Sequence, residues 1–99
     1  MNQENSQQRK EIKIKITDDV MNGSYANFMR VSHTKEEFVL DFANIVPPTG
    51  IISARVITSP GHLKRIIGAL EYNLKKYEEK FGKIEEAEEI KEEKIGFRP

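Results

Sequence analysis

The sequence predicts an α+β domain in which a four-stranded antiparallel sheet is followed by one long C-terminal helix packed on one face of the sheet. Two observations predict this class. Short apolar segments separated by turn residues fill the first part of the chain, and one amphipathic helical pattern follows them. With 99 residues, of which 37% are hydrophobic, we expect a single domain with one small core over residues 11–82.

The chain begins with a polar segment and a first predicted strand. Residues 1–10 contain no apolar residue except Met1, so we expect a disordered tail. In residues 11–16 three isoleucines alternate with charged residues, which predicts a strand with one apolar face. Residues 17–23 end in an Asn-Gly pair and are typical of a turn.

Three more strands are predicted before the helix. Residues 24–32 and 37–46 are joined by a short polar hairpin loop. The second of these segments is apolar on both faces except at Asp41 and Asn44, which is typical of a central strand. A Pro-Pro-Thr-Gly turn then leads into the fourth predicted strand, residues 51–58.

The clearest helical pattern lies between Ser59 and Gly82. Serine suits the N-cap, Pro60 suits the first helical position, and a glycine is a natural stop. Apolar residues recur at three- and four-residue steps, so we expect one face of this helix to cover the sheet. They are Leu63, Ile66, Ile67, Leu70, Leu74, Tyr77 and Phe81.

Residues 83–99 form a charged C-terminal extension. Glu and Lys dominate it and the apolar residues are thinly spaced. Such a composition favours a solvated or frayed segment, with a second short helix as the alternative.

Composition limits the classes of function. Lys+Arg and Asp+Glu number 16 each, which gives no electrostatic footprint for nucleic acid. Cysteine is absent, which excludes disulfides, thiol catalysis and thiolate zinc sites. No apolar run approaches the length of a membrane span, so we expect a cytoplasmic protein that binds no membrane. We also expect no cofactor.

The sheet face away from the helix is predicted to be an interaction surface. It is expected to carry more apolar area than a soluble monomer normally exposes, which predicts a homo-oligomer, a dimer or higher, and allows for a further protein partner. Its apolar candidates for the interface are Phe28, Val39, Ile45, Ile51 and Ile57.

Three charged residues on the same face are candidates for a site. Arg30, Asp41 and Arg55 fall on adjacent strands, where one carboxylate can meet two guanidinium groups. The cluster either recognises an anion or forms an ion-pair network that fixes the sheet register or a subunit interface. The structural interpretation is favoured, because charges among apolar neighbours need partners.

The start of the long helix is a second candidate. Ser59 and His62 lie where free backbone amides favour an anion. Ser59 followed by Pro60 is, however, a complete capping arrangement, and no glycine-rich phosphate loop is present. A metal site made by His33 and His62 is not favoured, because the first lies in a hairpin loop and the second at the helix start.

Several segments of the chain carry a family resemblance. They are residues 14–19, 25–34, 37–42, 47–50 and 54–56, together with Ser59, Pro60, His62, Lys64 and Arg65. These segments resemble the small bacterial and archaeal family called domain of unknown function 3467. The resemblance covers roughly residues 12–84 and implies no activity, cofactor or catalytic residue. The predicted strand order is also similar in topology to SecB-like export chaperones.

No group of residues supplies a general base and a nucleophile together, so we expect no enzyme. The sequence favours a non-enzymatic oligomeric binding or adaptor module, with a chaperone-like role as one form of it. The alternative is a small-molecule or anion-binding domain. RNA binding through Tyr25, Phe28 and Arg30 ranks behind both, because the chain has no net charge.

Overall fold

A computed structural model of the chain describes residues 10–88, 90–91 and 94–97. The predicted N-terminal tail, residues 1–10, lies outside the described residues except for Lys10. Among these described residues, the helices and strands are one short helix, three strands and one long helix. In chain order they are α1 (Asp18–Met21), β1 (Phe28–His33), β2 (Phe38–Val46), β3 (Thr49–Thr58) and α2 (Pro60–Phe81).

The α+β class with an antiparallel sheet and a C-terminal helix is confirmed, but the prediction of four strands is wrong. The sheet has three strands in the order β1-β2-β3, each antiparallel to its neighbour. Residues 11–16 form no strand, and Ile12 and Ile14 are both 87% exposed. Alternation of apolar and charged residues shows that a segment suits a strand, but a strand also needs a neighbouring strand to pair with. No strand of the sheet pairs with residues 11–16.

Strand β2 is central, as its apolar sequence predicts. Its register with β3 shifts between Phe42 and Ala43, so that Phe42 lies opposite Ala54 while Ala43 lies opposite Ile52. Ser53 is the extra residue, and its hydroxyl donates to the carbonyl of Phe42 at 3.3 Å. This β-bulge brings Ile52 to the face that carries Ala43, whereas strict alternation would place it on the other.

Side chains complete the pairing of β1 with β2 at both ends. Asn27, just before β1, accepts from the N–H of Ile45 and donates to its carbonyl, both at 2.9 Å. In the β1-β2 loop, the hydroxyl of Thr34 accepts from the N–H groups of Glu36 and Glu37. The hairpin is therefore held at each end by local hydrogen bonds.

Helix α2 has the bounds that the sequence predicts. Ser59 is the N-cap, and its hydroxyl accepts from the N–H of His62 at 3.1 Å. At the other end the backbone of Gly82 has φ of 99°, which favours glycine, and its N–H donates to the carbonyl of Glu78. These local signals alone define a helix of 22 residues.

The prediction that the helix packs on one face of the sheet is wrong for this chain. Helix α2 has no buried residue, and Leu70 and Phe81 are each 65% exposed. The radius of gyration, 18.5 Å, exceeds the roughly 13 Å of a compact domain of this length. Amphipathic periodicity shows that one helix face needs a partner, but it does not say which surface provides it.

The second sheet face, which carries Asp41 and Ala43, contacts the C-terminal segment instead. The described part of the extension forms no α-helix, but Ile90 and Ile95 are half-buried. They and Phe97 line a cleft of about 550 Å³ with the β2-β3 hairpin. The chain therefore supplies part of the cover that we expected from another molecule.

Candidate functional site

The three charged residues predicted on the second face lie in one row across the sheet. In the register, Asp41 of β2 lies directly between Arg30 of β1 and Arg55 of β3. Arg55 donates from Nε to Oδ1 at 2.6 Å and from a terminal nitrogen to Oδ2 at 3.0 Å. Arg30 donates to Oδ2 at 3.4 Å. The carboxylate therefore holds one arginine bidentately and a second more weakly.

Burial makes this carboxylate the central group of the cluster. Asp41 is 1% exposed, whereas the side chains of Arg30 and Arg55 are 33% and 59% exposed. The hydrogen bond from Arg55 lowers the pKa of Asp41 despite the opposing effect of burial. The same contact raises the pKa of Arg55. The aspartate is consequently ionised at neutral pH and fully engaged by its neighbours.

An aromatic residue of the C-terminal segment closes one side of the cluster. The guanidinium carbon of Arg30 lies 3.8 Å from the ring centroid of Phe97. The same ring lies 6.3 Å from that of Phe28, at an interplanar angle of 39°. Phe97 thus joins a cation-π contact to an aromatic pair.

The apolar interface candidates divide into two groups. Phe28, Val39 and Ile45 are half-buried, and Ile45 lines the cleft with the C-terminal segment. Ile57 and Ile51 are open to solvent, at 55% and 71% exposed. The prediction that Ile51 lies on the second face is wrong, because the bulge places it opposite Asn44, on the other face of the sheet. The second face is therefore partly covered within the chain, and its exposed apolar area is smaller than the strand pattern alone indicates.

The helix start is capped by its own serine, and the two histidines lie apart in the fold. The hydroxyl of Ser59 already caps the helix, as described above. His33 pairs with Phe38, which pairs with Thr58, so His33 and the start of α2 lie at the same end of the sheet but beyond opposite sides of β2. Within residues 10–88, 90–91 and 94–97, no three His, Asp or Glu side chains are grouped to hold a metal.

The surface that sequence reasoning assigned to the core lies on helix α2. Six of its apolar residues recur at alternating steps of four and three, which is the seven-residue repeat of a coiled-coil contact. Of these, the five from Ile67 onward are 48–65% exposed. We call these six residues the helix seam: Leu63, Ile67, Leu70, Leu74, Tyr77 and Phe81.

The seam has internal order even without a partner. The rings of Tyr77 and Phe81 lie 4.9 Å apart at 45°, one helical turn from each other. Just beyond, the N–H of Ile84 donates to the carboxylate of Glu78 at 3.0 Å, which fixes the chain as it leaves the helix. The seven-residue spacing was visible in the sequence and was the signal that could have indicated an intermolecular surface.

Fold and site together define a small α+β protein in which Arg30 and Arg55 pair with the buried Asp41 and the long helix has an exposed apolar seam. The chain belongs to the family described as "Protein of unknown function (DUF3467)", whose family model matches residues 1–86. No curated protein and no solved structure matches the chain, so the topological likeness to SecB-like chaperones stays a prediction. Among the described residues, no helix is long and apolar enough to cross a membrane.

Proposed function

We propose that the protein is a non-enzymatic, homo-oligomeric binding or adaptor module of the cytoplasm. One observation carries the proposal: the helix seam is exposed along most of its length. An isolated amphipathic helix gains little stability from its own hydrogen bonds and depends on burying its apolar face. Another protein surface, first of all that of a second copy, would provide that burial.

The exposed area of the seam suits a stable interface. If a large side chain offers about 200 Å² when fully exposed, the five open seam residues amount to roughly 550 Å² per chain. Two chains would then bury about 1,100 Å² before the flanking charged residues are counted, and biological interfaces normally exceed about 1,000 Å².

A second apolar surface supports the binding part of the proposal. On the first sheet face, which carries Leu40 and Phe42, Met29, Val31 and Val56 are 44–47% exposed. An oligomer built through the helices would leave this face to hold an apolar segment of another protein. That is the chaperone-like form of the proposal.

The charged cluster supports a structural role over a catalytic one. A general base needs a pKa near neutrality, but Arg55 moves the pKa of Asp41 in the opposite direction. The alternative of an anion-binding domain is less well supported. Both arginines already donate to Asp41, and Arg30 also stacks on Phe97.

Light scattering after gel filtration tests the oligomer. At about 50 µM the wild-type chain is expected to have at least twice its monomer mass of 11.4 kDa. Leu70→Glu places a charge in the seam and should shift the mass toward the monomer. Tyr72→Glu is the matched control, because Tyr72 is 63% exposed and outside the seam. A folded wild-type monomer at this concentration would overturn the proposal.

The binding activity is tested separately with a thermally unfolded model protein. The wild-type oligomer should suppress its aggregation, and Val31→Lys on the first sheet face should reduce this effect without changing the oligomer mass. Equal suppression by the two proteins would show that this face does not hold the partner.

A further inference from the structure

We infer that two copies of the chain pair their α2 helices in antiparallel orientation along the helix seam, with Lys64 of each chain beside Glu78 of the other. The inference rests on the proposed homo-oligomer and specifies its contact. It follows from three features of α2: the spacing of the seam residues, the exposure of the five from Ile67 onward, and the charges that flank the seam, whose first residue, Leu63, is half-buried.

The seam is symmetric about the region of residues 71–72. In antiparallel orientation with the two-fold axis there, every seam residue meets a seam residue of the second copy. No apolar layer is left without a partner, and the full length of the helix is used. The layers are Leu63 with Phe81, Ile67 with Tyr77, and Leu70 with Leu74, each occurring twice by symmetry.

Charges beside the seam decide the orientation. Three charged residues lie along one side of the seam, each directly after a seam residue in the sequence. They are Lys64, Glu71 and Glu78, which follow Leu63, Leu70 and Tyr77. Antiparallel pairing puts each Lys64 beside a Glu78, while the two copies of Glu71 meet at the axis. Flanking charges of this kind set the orientation of helix pairs.

Parallel pairing of the two α2 helices would bring no oppositely charged residues of α2 together beside the seam. It would set Glu71 against Ile66 and Glu78 against Asn73, neither of which carries a charge. Two attractive pairs and one repulsive pair therefore favour the antiparallel arrangement. Within one chain Lys64 and Glu78 are 14 positions apart, about 21 Å along the axis, so any coupling between them must come from two chains.

Distance measurements between spin labels test the orientation. The chain has no cysteine, so Arg65→Cys, Tyr72→Cys and Glu79→Cys each provide a single labelling site, all on the side of the helix away from the seam. The antiparallel pair predicts the shortest distance at position 72. At positions 65 and 79 the two labels should be separated by about 21 Å more along the axis.

Each outcome of this measurement is decisive. Three equal distances would show parallel pairing and overturn the inference while leaving the oligomer intact. An oligomer whose labels show neither pattern would place the contact elsewhere and also overturn it. If no distance between labels on two molecules is detected and the mass is that of a monomer, the proposed function itself is overturned.

Charge exchange provides an independent test. Lys64→Glu and Glu78→Lys should each weaken association about tenfold, and the double exchange should restore it. Glu78→Gln removes the charge but keeps a side-chain oxygen that can accept from the N–H of Ile84. Its effect on association therefore reports the loss of the charge and not the loss of that hydrogen bond. Lys75→Glu, away from the seam, is the control. The pairing would be contradicted if the double exchange did not restore association while the control Lys75→Glu had no effect.

Glu71 gives a test of opposite sign. Because its two copies meet at the axis, Glu71→Gln should tighten association by a factor of about two. In a parallel pair the same change should have no such effect, since Glu71 then lies beside Ile66. Unchanged or weaker association would contradict an axis at this position.

Discussion

The carboxylate of Asp41 accepts two hydrogen bonds from Arg55, at 2.6 and 3.0 Å. This pair lies one residue before the bulge at Phe42 and Ala43, where the register of β2 and β3 changes. A one-residue slip would move Asp41 to the other face and separate the pair. The contact therefore fixes the register at the place where the sheet is least regular.

Stability should fall in acid because of Asp41. Its pKa is lowered below 3.8 in the folded chain, first by the hydrogen bond from Arg55. The contribution is thus fully present above pH 3.8 and is lost as the pH falls through the folded-state pKa. Denaturant midpoints from pH 7 to pH 2 should converge for the wild type and Asp41→Asn. Asp18→Asn, at an exposed position, is the control, and a constant difference for Asp41→Asn would contradict this account.

Removing the carboxylate entirely separates the structural role from anion binding. Asp41→Ala should lower the melting temperature, because two arginines then lie close together without a counter-charge. Inorganic phosphate at constant ionic strength should not restore it. A stable Asp41→Ala protein whose melting temperature rises with phosphate, and whose response is abolished by adding Arg30→Ala, would reverse the assignment.

Truncating a seam residue should act through association. Leu74 is half-exposed in the single chain, so Leu74→Ala should lower the melting temperature more at low protein concentration than at high concentration. Lys75→Ala, on the neighbouring position outside the seam, should stay within about 0.5 kcal/mol of the wild type. A concentration-independent loss of about 2–5 kcal/mol would place Leu74 in an intrachain core instead.

The C-terminal segment should contribute measurably to the stability of the sheet. Phe97→Ala removes the contacts with Arg30 and Phe28 and is expected to cost about 1 kcal/mol of unfolding free energy. Lys83→Ala, in the exposed part of the same extension, is the control. Equal denaturant midpoints for Phe97→Ala and the wild type would show that the contact does not stabilise the fold.

The elements that depend on neighbouring residues could be predicted from the sequence. Helix α2 begins after Ser59 and ends before Gly82 because its capping and stop signals act within one turn. The apolar run of β2 identifies a central strand, and counting along the hairpins aligns Arg30, Asp41 and Arg55. These features follow from chain geometry over short separations, which a single sequence contains.

The tertiary structure alone decided which surfaces meet. Residues 11–16 have a strand pattern but no paired edge, the bulge turns Ile52 to the second face, and Phe97 packs on Arg30 from more than 60 positions away in the chain. The seam of α2 stays exposed although its pattern indicates burial. Periodicity shows that a face is apolar. Which surface covers that face depends on competition among all surfaces of the chain and of its neighbours, and a local sequence pattern contains no information about that competition.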